Sequence, residues 1–163
     1  MRANLHRLLL LLFVCLWTSS AGATVAVSFT RPENYADMGQ YPEDMRTQMD
    51  EIEAHLKQLG QRYLPPDQSL NIEVLDVDLA GRIGPPTRPG SSTRVLRGKA
   101  DWPRIKLHYV LEAGGRVLLD REESVADMDY LRHANRHYAG QSLSFEKQML
   151  DDWFRQRFAA HKR

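Results

Sequence analysis

Between Pro42 and Leu64, six large side chains recur at spacings of 4, 3, 4, 3 and 4: Met45, Met49, Ile52, Leu56, Leu59 and Tyr63. A helix with 3.6 residues per turn gathers them on one narrow face, and that face needs a second layer to cover it. Pro42 suits the first turn, where a missing N–H costs nothing. Glu43 and Asp44 then meet the positive end of the helix dipole. Pro65-Pro66 stops the helix. The spacing also matches a coiled-coil seam. With only about three heptads in a short chain, it reads as one helix lying on a sheet. Gly60 is the weak point of the pattern, a place where the helix could end early.

The rest of the chain supplies the sheet. Thr24 to Thr30 alternates Val25, Val27 and Phe29 with small or polar residues, the mark of a half-buried strand. Arg31 to Gln40 is a linker. Leu70 to Ala80 is a long β-branched strand. Arg104 to Glu112 sets Ile105, Leu107, Tyr109 and Leu111 against Arg104, Lys106 and His108, so one face is wet. Ala113-Gly114-Gly115 turns it into a hairpin whose return strand is Arg116 to about Val125. Gly81 to Asp101 has no period and is rich in Gly, Pro, Ser and Thr, a long loop; Ala126 to Gln141 is polar and irregular. Ser144 to about Ala159 is a second helix, with Phe145, Met149 and Trp153 beside Leu150, Phe154 and Phe158. Ser144 is placed to cap it, with Glu146 in the first turn and Arg155 and Arg157 near its C-terminal end. The order β-α-β-β-β-α predicts an α+β domain: one mixed sheet of about four strands with both helices on one face. Its β-α-β opening favours a right-handed, parallel crossover. A chain of 163 residues has room for one such core.

The N-terminus reads as an address. Arg2 and Arg7 precede an apolar run from Leu8 to Trp17, and Thr18 to Ala23 ends in the small-x-small pattern of a peptidase site. The expectation is a cleavable signal peptide over 1–23, cut after Ala23, and a domain over 24–163. A run of about ten residues is too short for a permanent anchor, and no later segment is apolar enough to span a membrane. The one cysteine, Cys15, follows Phe13 and Val14, where a lipoprotein signal would need small residues, so it leaves with the leader. The expected location is the periplasm, with the extracellular space as the alternative.

The full chain has 22 basic and 21 acidic residues. Without Arg2 and Arg7 the balance is 20 against 21, a net charge of −1. A near-neutral total argues against bulk attraction to nucleic acid or anionic lipid. Local clusters must carry any such binding. The clearest lies in the 81–101 loop, where Arg82, Arg88, Arg94, Arg97 and Lys99 occur before the first acid, Asp101. Long loops in compact domains tend to be functional or disordered. Arginine forks suit phosphate and carboxylate groups. Trp102, held beside Pro103, would add an aromatic contact. The plainer reading is a mobile loop carrying solubilising charge, with Trp102 in the core.

Other candidates are sparser. Asp76 and Asp78, at i and i+2 on one strand, share a face and could hold a hard cation or share a proton. The plainer reading pairs them across the sheet with Arg104, Lys106 or His108. His133 and His137 have the spacing of metal ligands on a helix, and Asp127 or Asp129 could complete the set. Ala134 stands where a zinc protease would need Glu, and the segment lacks a helical stripe. Ser91, Ser92, Ser142 and Ser144 lie in loop or cap contexts. Neither a nucleophile elbow nor a phosphate-binding glycine loop occurs. No cofactor is expected, and a non-enzymatic role is favoured over an enzymatic one, which is left open.

The stretch Asn71-Ile72-Glu73-Val74-Leu75-Asp76-Val77-Asp78-Leu79-Ala80-Gly81, followed by Asp101-Trp102-Pro103-Arg104-Ile105, resembles the bacterial exported family known as domain of unknown function 3016. Asp127-Met128-Asp129-Tyr130-Leu131 and Glu146-Lys147-Gln148-Met149-Leu150-Asp151-Asp152-Trp153-Phe154 fit the same pattern. The resemblance implies export and a single domain and brings no catalytic residue with it. The functional expectation is an envelope binding module that meets an anionic partner through the basic loop. Two alternatives stand beside it. One is a metal-dependent or acid/base hydrolase using Asp76 and Asp78 or His133 and His137. The other is a structural envelope protein assembling through a sheet edge.

Overall fold

Alternation in two long strands decides which side of the sheet is dry. The computed structural model describes residues 22–39, 41–84, 94–137 and 140–159. The elements run β1 (Thr24–Phe29), α1 (Pro42–Tyr63), β2 (Gln68–Asp78), β3 (Arg82–Ile83), β4 (Arg94–Val95), β5 (Arg104–Ala113), β6 (Arg116–Ala126) and α2 (Ser144–Phe158). Residues 1–21 of the expected leader, with Cys15, lie outside the described residues, as do Arg88, Ser91 and Ser92.

The main sheet has the order β1-β2-β5-β6. α1 connects β1 to β2, which run parallel; β5 is antiparallel to β2, and β6 to β5. Leu70, Ile72 and Val74 of β2 and Ile105, Leu107, Tyr109 and Leu111 of β5 are all buried. They share one core with Ile52, Leu56 and Leu59 of α1 and with Met149, Leu150, Trp153, Phe154 and Phe158 of α2. The fold is α+β, with one mixed sheet and both helices on its apolar face, as the sequence pattern predicts. The rings of Tyr109, Trp153 and Phe158 meet edge to face, with centroids 5.5–5.7 Å apart. This is the geometry that aromatic quadrupoles favour.

β2 carries a bulge. Its pairing with β5 shifts register between Val74 and Asp76, so the buried positions change phase from 70, 72 and 74 to 77 and 79. An extra residue of this kind bends a strand and re-aims the side chains beyond it. The hairpin between β5 and β6 turns on Gly114 and Gly115, with φ of 54° and 75°. Left-handed backbone at both turn positions is what a type I′ hairpin turn requires.

Three local expectations are corrected. Gly60 does not end α1 early; the helix runs three residues past it. A Cβ at Gly60 would lie 2.0 Å from Val25 Cγ2, so glycine is what lets α1 sit close on β1. Ser144 does not cap α2. The cap position is Leu143, in left-handed backbone with no side-chain cap hydrogen bond. The 81–101 segment is not wholly irregular, since β3 and β4 pair as a small antiparallel ribbon and residues 98–100 form a 3-10 turn. Two-residue strands are too short to show a period. No helix among the described residues is long and apolar enough to cross a membrane.

The Gly60 contact yields a sign reversal. In an exposed helix Gly→Ala stabilises by about 1 kcal/mol. Here Gly60→Ala is expected to destabilise by about 1–3 kcal/mol through overpacking against Val25. Adding Val25→Ala should recover part of that loss, and denaturant unfolding of the two single variants and the double variant measures it.

Candidate functional site

The basic residues of the 81–101 segment divide into two groups. Arg82 Nη1 donates to Asp78 Oδ1 at 2.8 Å and approaches Asp37 Oδ2 at 3.4 Å. Arg94 Nη1 donates to Asp37 Oδ2 at 2.8 Å and to the Gly81 carbonyl at 3.0 Å. Arg104 reaches the other oxygen of Asp78 at 3.4 Å. Asp37 and Asp78 thus each hold two arginines and fasten the β3-β4 ribbon to the end of β2. Arg82 is exposed despite these bonds, as are Arg97 and Lys99, neither of which reaches Asp37 or Asp78. The side chain of Arg97 keeps 57% of its surface and pairs with Asp101 at 3.3 Å. Trp102 is half-buried.

Asp101 anchors the outer end of the segment. It accepts the Arg97 N–H at 2.9 Å and the Tyr130 hydroxyl at 2.9 Å. Burial opposes its ionisation, yet the hydrogen bonds from Arg97 and Tyr130 prevail and hold the carboxyl below its ordinary range. The same bond leaves Tyr130 a weaker acid. Its pKa is pushed up to about 12, by burial first and then by Asp101. Tyr130 OH also accepts the Gly98 N–H at 3.3 Å, tying the turn around residue 130 to residues 97–101. Leu131 Cδ1 stands 3.8 Å from where a Gly98 Cβ would be. The two adjoining segments expose Val95, Leu96, Met128 and Leu131, with Arg97, Lys99 and Arg132 around them.

Asp76 and Asp78 point to the open face of the sheet, as their spacing predicts, but each has its own partner. Asp76 Oδ1 accepts the Ala36 N–H at 2.9 Å, while Asp78 is held by Arg82 and Arg104. The two histidines are not brought together either. His133 Nε2 contacts Asp127 Oδ2 at 2.8 Å. His137 Nε2 contacts Asp151 Oδ2 at 3.0 Å.

The second partner of Asp151 is a residue that no sequence motif marks. His55 Nε2, from α1, lies 2.9 Å from Asp151 Oδ1 and 3.2 Å from the Lys147 carbonyl. Both neighbours are acceptors, so this nitrogen carries the proton. His55 and Asp151 are buried. Burial lowers the pKa of His55 more than Asp151 raises it, so the ring is held neutral. The two imidazoles stand edge to face, their centroids 5.3 Å apart. One turn earlier on both helices, Lys147 Nζ pairs with Glu51 at 2.7 Å. Arg136 is bound to Asp152 at 2.8 Å and lies 3.7 Å from Asp151. A cleft of about 360 Å³ opens over the group, lined by Glu51, Ala54, Gln58, Gln141 and Lys147 with both imidazoles. The sequence signal was slight. His55 and Asp151 merely flank Leu56 and Leu150 on the apolar stripes of two separate helices.

Residues 23–156 match the family described as Protein of unknown function (DUF3016). The chain belongs to this family. No curated protein and no solved structure is significantly similar to it. In this DUF3016 protein the matched span includes both regions described above: the exposed apolar and basic surface, and His55, His137 and Asp151.

The depressed pKa of His55 makes stability depend on pH. The folded state favours the neutral ring, so its contribution is complete above the ordinary value of 6.5 and declines as pH falls below that towards the lowered value. The expected outcome is a melting temperature that drops as pH falls below 6.5. His55→Gln should show a shallower dependence over the same range, measured by thermal unfolding.

Proposed function

We propose that this protein is exported and acts in the cell envelope as a binding module without catalysis. Its partner is an acidic protein, met through the surface around Val95, Arg97, Lys99, Met128 and Leu131. Export rests on the leader pattern of residues 1–23. The observation that carries the contact surface is the exposure of four large apolar side chains, Val95, Leu96, Met128 and Leu131, on two segments that Tyr130 ties together. Exposed apolar residues on two joined segments, with charged residues beside them, are features of a protein interface. The rim sets exposed Arg97, Lys99 and Arg132 against exposed Asp129, which pairs with Arg132 at 3.4 Å, an excess of positive charge that suits an acidic partner. Arg82 and Arg94, whose forks are spent on Asp37 and Asp78, brace this surface instead of contacting a partner.

The alternatives have less to stand on. A hydrolase would need Asp76 with Asp78, or His133 with His137, to act on one substrate atom, and each of the four is bonded to a different group. Assembly through the β6 edge would have to tolerate exposed Asp120, Arg121 and Glu122.

The test uses the purified protein immobilised against envelope extract, and separately against vesicles of phosphatidylcholine with or without phosphatidylglycerol. Two variants accompany it. Met128→Ser with Leu131→Ser removes the apolar centre. Lys99→Glu with Arg132→Glu reverses the rim and spares Arg97, which braces Asp101. Retention of an acidic protein is expected to weaken about fivefold or more in the first variant. In the second it should weaken about tenfold at low salt, with a flatter salt dependence. Equal retention by all three proteins, or none by any, would overturn the reading. Binding to anionic vesicles, lost in the same variants, would replace the protein partner with a lipid surface.

A further inference from the structure

His55, His137 and Asp151 meet from three separate parts of the chain. His55 comes from α1, Asp151 from α2 and His137 from the segment leading into α2. Both imidazole Nε2 atoms face the same carboxylate, one on each oxygen, at 2.9 and 3.0 Å. One ligand atom from each residue lies within 4.8 Å of the other two. Ligands around a tetrahedral zinc ion at about 2.0–2.2 Å are spaced about 3.3–3.5 Å apart. An ion entering here would need the two contacts with Asp151 to open by about half an ångström. His137 sits outside any helix or strand and can open its own contact without moving a helix, while the His55–Asp151 contact, which joins α1 to α2, opens by rotation of those two side chains.

From this convergence we infer that His55, His137 and Asp151 form a binding site for one transition-metal dication of the zinc and copper class. Two imidazoles and one carboxylate suit these ions, whereas magnesium and calcium take oxygen ligands. Lys147 is held by Glu51, while Arg136, bonded to Asp152 at 2.8 Å, also stands 3.7 Å from Asp151 Oδ2 and yields that longer contact to an incoming ion. His55 is buried, and an imidazole binds a metal in its neutral form. In the metal-bound state both rings carry their proton on Nδ1, so for neutral rings binding shifts the tautomer without net proton release. The remaining coordination position faces the cleft beside Ala54, Gln58 and Gln141, where water or one donor of a small ligand completes the shell. This centre is independent of the basic and apolar surface, since no residue is common to both.

The test is titration calorimetry on the full protein after chelator treatment, with Zn²⁺, Cu²⁺ and Mg²⁺ in separate runs, together with the visible spectrum on adding Co²⁺. One Zn²⁺ or Cu²⁺ per chain is expected, with no heat from Mg²⁺ and a Co²⁺ band showing nitrogen and oxygen ligation. His137→Ala and Asp151→Asn should each weaken Zn²⁺ binding about 100-fold or more. His133→Ala, whose ring faces Asp127, should bind as the parent does. Asp151 is buried, so its variant could fail to fold. His137→Ala then decides, because that ring lies outside the helices and circular dichroism reports whether the fold is kept. Absence of saturable uptake, uptake unchanged in His137→Ala, or uptake lost in His133→Ala would each overturn the assignment. A positive result leaves the partner surface to be judged by its own capture experiment.

Discussion

Only one face of the four-stranded sheet is apolar, and two helices must share it. Leu70, Ile72 and Val74 beside Ile105, Leu107, Tyr109 and Leu111 make that face, while Glu73, Lys106 and His108 occupy the other. A mixed sheet with one wet face leaves no second place for an amphipathic helix to hide its stripe. α1 and α2 therefore lie side by side, and their polar flanks are pressed together above the core. The contacts at that seam result from the placement. Glu51 meets Lys147, and one turn on His55 meets Asp151. Gly60 belongs to the same constraint, since α1 can approach β1 only where no side chain meets Val25.

The bulge at Leu75 governs the opposite end of the sheet. By changing the phase of β2 it buries Val77 and Leu79 and leaves Asp76 and Asp78 on the open side. There Asp78 forms an isolated bridge with Asp37, bringing a second carboxylate alongside. The two acids then draw in Arg82, Arg94 and Arg104. Removing either carboxylate would cost two arginine contacts at once, so Asp37 and Asp78 together hold the ribbon in place. The arginines that made the segment look like an anion-binding loop are largely the means by which it is attached.

The fold was legible because its signals are local. The stripe of Met45 to Tyr63, the alternation of β5 and the paired glycines of the hairpin are each readable within a short window. Charge pairing is not local. Nothing near Arg94 indicates Asp37, which lies 57 positions away. The basic run could be counted in the sequence, but which cations stay exposed could not. His55 and Asp151 were missed for the same reason, being 96 positions apart and joined only by the packing of two helices. The spacing of His133 and His137 resembled a ligand pair. Without a helix between them, an interval of four residues fixes no common direction.

The irregular stretch after β6 shows how side chains can replace a hydrogen-bond ladder. It begins with the Asp127 N–H donated to the Pro103 carbonyl. Tyr130 then inserts its hydroxyl between Gly98 and Asp101. Asn135 Nδ2 donates to the Ser144 carbonyl, the Arg136 N–H donates to Gln148 Oε1, and His137 closes on Asp151. A chain with no strand or helix to satisfy its backbone must find such partners or remain solvated. The polar composition that makes residues 126–137 look featureless is the inventory of groups that pin them. That pinning carries Leu131 to the basic surface and His137 to the helix seam along one short length of chain.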